Sequence, residues 1–162
     1  LSFTTTGDIP EVCDDNIDND GNGDTDCADA ACANEAHCLT AQTVTQTNNT
    51  AVTIPDDTPA GITSTIQIAD AGTISSLSLA LNISHTFRPD LIVKLTSPTG
   101  TEVTLFNQEM DGELNLIRTF TPPDFNGEAS AGTWTLTVID GAGGDEGTLN
   151  EWTLEMEIMP TP

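Results

Sequence analysis

The sequence predicts an all-β sandwich. Apolar and polar residues alternate with a period of two in several short stretches, Gly, Pro, Asn and Asp clusters separate those stretches, and no helical period of apolar residues runs through the chain. A period of two sends one set of side chains into a core and the other to water, so each stretch reads as a strand with one buried face. Many such strands joined by turn signals indicate two packed sheets.

Taken in order, the chain begins with an acidic segment. Residues 8–38 hold ten of the 26 acids and all four cysteines, Cys13, Cys27, Cys32 and Cys38. Within it, DNDGNGDTDCAD from Asp18 to Asp29 fits a twelve-position calcium loop. Asp18, Asp20 and Asn22 supply the alternating oxygens, Gly23 the sharp turn and Asp24 a backbone carbonyl, with Asp26 and Asp29 completing the set. Alternate spacing matters because every second side chain of a tightly wound loop reaches a common centre. An all-oxygen donor set of six or more favours calcium over magnesium. Zinc is disfavoured, because the cysteines lack a C-x-x-C spacing and His37 and the sulfurs lie among hard oxygen donors. The closing Asp resembles dockerin and thrombospondin type 3 loops, and the whole segment resembles the Asp/Asn/Cys cassettes of bacterial exported proteins.

Four cysteines so close together imply two disulfides in an oxidising compartment. Three pairings are possible. The expected one joins Cys13 to Cys27, clamping the loop, and Cys32 to Cys38, closing a short turn. Val12 and Ile17 are almost the only large apolar residues of the cassette, so metal and disulfides have to hold it together. The expected organisation is therefore a calcium- and disulfide-stabilised loop segment over 1–39, a threonine-rich linker over 40–50 and a sandwich over 51–162.

Strands are expected at Ala51–Ile54, Thr65–Ala69 and Thr73–Ser84, the last with Leu77, Leu79, Leu81 and Ile83 in alternation. Leu91, Val93 and Leu95 continue the pattern, and Ser97–Gly100 turns the chain into Val103 and Leu105. A further strand near Leu116–Phe120 ends at Pro122 and Pro123, which lack the ladder N–H. Gly127–Ile158 then reads as a closing hairpin: Trp134, Leu136 and Val138 on one arm, Trp152, Leu154, Met156 and Ile158 on the other, with DGAGGDEG between them. Each indole buries about 150–250 Å², worth roughly 4–6 kcal/mol as an upper bound. Asn48 and Asn82 sit in N-x-S/T sequons, which would mean little if the protein were bacterial.

These motifs carry a resemblance. GTWTLTVID, a glycine-rich loop and GTLNEWTLEM, preceded by Gly127–Glu128, resemble the end of the P domain (homo B domain). That domain follows the catalytic domain in kexin-like and furin-like subtilases and occurs in many bacterial secreted proteases. DLIVKLTSPTGT at Asp90–Thr101, the His85–Thr86 pair before it, and Ile54–Pro55–Asp56 match three further family motifs in order. Asn126 departs from the family, which often has Trp there. The resemblance implies an eight-stranded jelly-roll sandwich of the galactose-binding type.

The formal charge of −23 sets 26 acids against Arg88, Lys94 and Arg118. Nucleic-acid binding needs clustered cations and is excluded on that ground, and an anionic membrane surface would repel the chain. No apolar run approaches the roughly 20 residues that span a bilayer. Leu1 onward shows no signal-peptide pattern, so the chain reads as a processed piece of a longer protein.

His37 and His85 are the only histidines, and no nucleophile motif accompanies them, so the chain itself is expected to be no enzyme. His85 is expected to make structural hydrogen bonds. A second cation site is conceivable if Asp90, Asp111, Glu128, Asp140 and Asp145 converge at one edge of the sandwich, with Asp90 and Asp140 the foremost ligand candidates. The resemblance implies a non-catalytic, calcium-binding accessory domain of a secreted bacterial endopeptidase, serine-type favoured. Its partner would be the catalytic domain of the same polypeptide, docked on an exposed apolar patch. The alternatives are an extracellular module for polysaccharide or matrix protein, and a calcium-stiffened spacer.

Overall fold

A computed structural model describes residues 9–161, and the chain forms two compact units, one running up to Thr40 and the other spanning Ala41–Met159. The second unit is a two-sheet sandwich. Its strands are β1 (Gln42–Asn48), β2 (Val52–Ile54), β3 (Thr58–Ile68), β4 (Gly72–His85), β5 (Leu91–Thr96), β6 (Glu102–Asn107), β7 (Leu116–Phe120), β8 (Gly132–Asp140) and β9 (Gly147–Pro160). The first sheet runs β1-β9-β4-β7, with β2 also on β9; the second runs β3-β8-β5-β6.

The alternation read from the sequence is what packs the two sheets. Leu79, Leu81 and Ile83 of β4, Leu91, Val93 and Leu95 of β5, Leu136 and Val138 of β8, and Leu154, Met156 and Ile158 of β9 are all buried in one apolar core. Both indoles are fully buried. Trp134 meets Phe125 edge-to-face at 5.1 Å between ring centroids and donates its N–H to the Ser130 carbonyl, while Trp152 donates to Ser64 Oγ. Each ring thus satisfies its one polar atom inside the core, as burial of an indole requires.

Two expectations about the sandwich need correction. Gly127–Ile158 is not a hairpin: β8 pairs with β3 and β5, whereas β9 pairs with β1 and β2 and lies beside β4 in the other sheet. Both arms have an apolar face, and those faces meet across the core instead of lying side by side, so the 141–146 loop carries the chain from one sheet to the other. Residues 42–48, expected to be linker, form β1. Its threonines are β-branched and suit a pleated edge, and its register with β9 puts Val44 opposite Met156 and Thr47 opposite Thr153, whose hydroxyls hydrogen bond.

Close approach of neighbouring strands within each sheet requires glycine at two places. Gly61, at φ +64° in the irregular start of β3, would bring a Cβ within 2.5 Å of the Val138 carbonyl oxygen. Gly147 would bring one within 2.4 Å of the His85 ring and 2.5 Å of the Ser84 carbonyl oxygen. Large apolar side chains remain in water at Met110, Leu114 and Ile117, on the β6–β7 loop and the start of β7.

The first unit has almost no regular structure. After a single 3-10 turn at Asp26–Ala28, the chain winds through successive three-residue turns, Cys32 N–H to Asp29, Glu35 N–H to Cys32 and Cys38 N–H to Glu35. The disulfides are Cys13–Cys32 and Cys27–Cys38, not the expected pairs. A three-residue winding rises about 2 Å per residue, which puts Cys32 and Cys38 roughly 12 Å apart along it, beyond the roughly 7 Å that a disulfide can bridge. The bridges therefore interlock, and each ties the winding to an earlier part of the chain.

Candidate functional site

In the cassette, Asp18 is the hub of the loop. Its carboxylate accepts the backbone N–H groups of Gly21, Asn22 and Gly23 at 2.7–3.1 Å. Asp20 accepts from the Asn22 backbone and side chain, and Asn22 donates onward to the buried Asp29 at 2.6 Å. These bonds wind the loop so that the early acids converge. Carboxylate oxygens of Glu11, Asp18 and Asp20 lie within 4.8 Å of one another. No cation of the chain lies in this segment, since Arg88 is the first basic residue.

Not every expected ligand faces that centre. The Asp26 carboxylate accepts the backbone N–H groups of Asp15 and Asn16, and so tethers the turn that enters the loop. Asp24 is exposed, with its N–H donated to Asn22 Oδ1. Glu11, by contrast, was invisible to spacing. It is nearly buried and spans the loop, accepting Asn19 and Asp20 N–H on one oxygen and Asp26 N–H on the other. A seven-residue offset before Asp18 belongs to no loop pattern, and only the fold brings it in. Cys27, His37 and Cys38 also cluster, yet the two sulfurs are joined to each other, so they offer no thiolate for zinc.

In the sandwich, the foremost candidates meet at the end where β4 and β8 finish. Asp140 is fully buried, and its Oδ2 lies 3.2 Å from His85 Nε2. His85 Nδ1 accepts the Phe87 N–H at 3.2 Å. An imidazole that accepts on Nδ1 carries its proton on Nε2, so His85 donates to Asp140. Both ring nitrogens are then occupied, one by a carboxylate and one by a backbone N–H, and neither can take a proton from a hydroxyl nucleophile as a triad requires. His85 is a structural pin, as its sequence context suggested.

Asp90 caps the same end, its carbonyl accepting the Gly141 N–H. Burial raises its carboxyl above the usual range, and the charges of Asp140, Asp145 and Asp56 push the same way against the opposing pull of His85. Asp145 accepts from Thr86 Oγ1 and Asp56 from the Gly144 N–H. The other two acids of the set are engaged elsewhere. Asp111 is forked by Arg88 through Nε and Nη2, and that hydrogen bond holds its carboxyl below the usual range. Glu128 lies beside the start of β4 and clamps the Ser97–Thr101 turn, accepting Thr99 Oγ1 and Thr101 Oγ1. Burial would raise it, but the hydrogen bonds from Thr101, Thr99 and Ser97 win and leave it lowered. The five acids whose convergence would have made a second cation site thus divide between the two ends of the sandwich.

The chain matches a family model described as the proprotein convertase P-domain over residues 74–156. It is 34% identical over 107 residues to leupeptin-inactivating enzyme 1 of Streptomyces exfoliatus, covering 65% of this chain and 24% of that protein. It is 38% identical over 109 residues to the transglutaminase-activating metalloprotease of Streptomyces mobaraensis, covering 66% of this chain and 14% of that one. This chain therefore corresponds to a quarter or less of those relatives' length. Among solved structures, the Aeromonas sobria serine protease in complex with its chaperone ORF2 superposes with a TM-score of 0.65 at 22% identity, over 75% of this chain and 28% of the protease chain. That likeness is one of fold.

Proposed function

Because this chain belongs to the proprotein convertase P-domain family, we propose that it is the non-catalytic, calcium-binding accessory domain of a secreted bacterial protease, supporting the folding and stability of the catalytic domain beside it. The match across the core of the sandwich is the observation that carries this reading. The relatives include a metalloprotease and the fold neighbour is a serine protease; we favour a serine-type parent. The two disulfides support an oxidising, extracellular setting.

Calcium fits the cassette by the chemistry of its donors: three carboxylates within reach of one centre, hard oxygens throughout and no cation of the chain to relieve their repulsion. Glu11, Asp18 and Asp20 would hold the ion, with Asn22 and Asp29 closing the loop. A bound ion supplies the charge that keeps those carboxylates together. It thereby stabilises the folded cassette in proportion to the free calcium concentration.

The test is to express the catalytic domain of the parent with and without this chain, each in calcium and in EGTA. Higher yield and a higher melting temperature with the chain present, both diminished by EGTA, are expected. Equal yield and melting in all four cases would overturn the proposal.

A further inference from the structure

Three cavities on the outer face of the five-stranded sheet lie end to end. Their floors follow the outward residues of β4: Ser76 and Ser78 in the first, Ala80 and Asn82 in the second, and Ser84 with Thr86, just past the strand, in the third. Their volumes are about 190, 300 and 440 Å³. Ten residues of strand at about 3.3 Å each make a trough of roughly 33 Å. The trough is hollow because β4 carries small side chains between two neighbours that carry larger ones. From the register of β4 with β7, Ala80 faces Thr119 and Asn82 faces Ile117.

The two walls differ in kind. Along β9 stand Glu151, Glu155 and Glu157. The ion pairs found among the described residues use none of these three. Opposite them stand Pro122, Ile117 and Leu114, with Ile117 69% and Leu114 58% exposed, and Arg118, whose charge is taken up by Glu109 at 3.1 Å.

We propose that this trough docks an extended, lysine- or arginine-bearing segment of polypeptide. The serine hydroxyls and the Asn82 side-chain N–H groups meet the backbone groups of a strand that has no sheet partner there, while Asn82 Oδ1 and Ser84 Oγ already accept from Asn150 Nδ2. Successive cations on one side of that strand, about 6.6 Å apart, match the spacing of Glu155 and Glu157 two residues apart on β9. Apolar side chains of the same segment cover Ile117 and Leu114, which is the use of an exposed apolar strip beside a charged one. A sugar is the poorer occupant, since stacking needs exposed rings: among the described rings Trp134, Trp152, Phe106, Phe120 and Phe125 are buried, and the half-buried Phe87 lines none of the three cavities.

The test uses this chain and a fluorescent peptide of about ten residues, the length an extended strand needs to fill the trough, alternating lysine and valine, with a glutamate–valine peptide as comparison. Fluorescence polarisation is expected to show saturable binding of the lysine peptide alone. Changing Glu151→Gln, Glu155→Gln and Glu157→Gln together should weaken it about tenfold, the sum of three exposed ion pairs. Ala80→Trp, which fills the floor without changing charge, should abolish it while melting as the parent chain does. A remote trio on the sandwich, Asp57→Asn, Asp70→Asn and Glu102→Gln, none of which lines the three cavities, should leave it unchanged. If the remote trio weakens binding as much as the wall trio, or Ala80→Trp binds normally, the bulk charge of the chain is responsible and the docking groove is refuted. Failure of the lysine peptide to bind refutes it as well.

Discussion

At the scale of single residues, Gly147 and Asp90 show how tightly the His85 end of the sandwich is built. A Cβ at position 147 would collide with the His85 ring and with a β4 carbonyl that belongs to the sheet itself. Backbone cannot rotate away as a flexible side chain can, so Gly147→Ala is expected to cost about 1–3 kcal/mol. Urea denaturation checks this, and a loss under half a kcal/mol would show that β4 and β9 part there without resistance. Asp90 works in the opposite direction. Its folded-state pKa is raised, so the folded protein prefers the protonated acid. That preference adds stability below the carboxyl's ordinary value of 3.8 and is lost as the pH rises through the raised folded value. Asp90→Asn should therefore raise the melting temperature at pH 7 in EGTA, and leave it unchanged near pH 3. If a cation occupies Asp90 and Asp140, millimolar calcium reverses the ranking, because only the parent chain gains from the ion.

At the scale of elements, the cassette shows the difference between spacing and geometry. The loop pattern assigns Asp26 to the ion and omits Glu11, whereas the folded loop turns Asp26 onto the N–H groups of Asp15 and Asn16 and brings Glu11 to Asp18 and Asp20. Glu11→Gln is accordingly expected to lower calcium affinity roughly tenfold, and Asp26→Asn by less, since affinity follows the number of charged ligands at the centre. Isothermal titration gives both numbers, and the reverse order would return the loop to its pattern-based ligand set. The disulfides belong to the same scale. Opening Cys13–Cys32 frees a 19-residue separation, worth about 3 kcal/mol of loop entropy. Cys13→Ser with Cys32→Ser should make the cassette a protease target while the sandwich keeps its melting transition, which limited proteolysis and calorimetry on one sample would establish.

At the scale of the whole molecule, a net charge of −23 opposes compactness. Raising sodium chloride from about 0.01 to 0.15 M shortens the screening length from about 30 to 8 Å, and the melting temperature should climb with it in EGTA; a fall would mean that attractive pairs outweigh self-repulsion. Much of this was legible beforehand: the alternation of β4, β5 and β9, the inward indoles, the turn at Ser97–Gly100 and the pinning role of His85. Each is a local property, set by a period of two or by residues a few positions apart, and a local property survives any choice of partners. What only the tertiary structure decided was who meets whom: β8 across from β9 instead of beside it, β1 in place of a linker, Cys13 with Cys32, Glu11 inside the loop and Glu128 at the far end from Asp140. In the cassette those outcomes depend on the winding that keeps Cys32 and Cys38 apart; in the sandwich they depend on closing a sheet-to-sheet gap of about 10 Å with every inward face filled. That condition acts on all the strands at once, so no single stretch of the chain contains it.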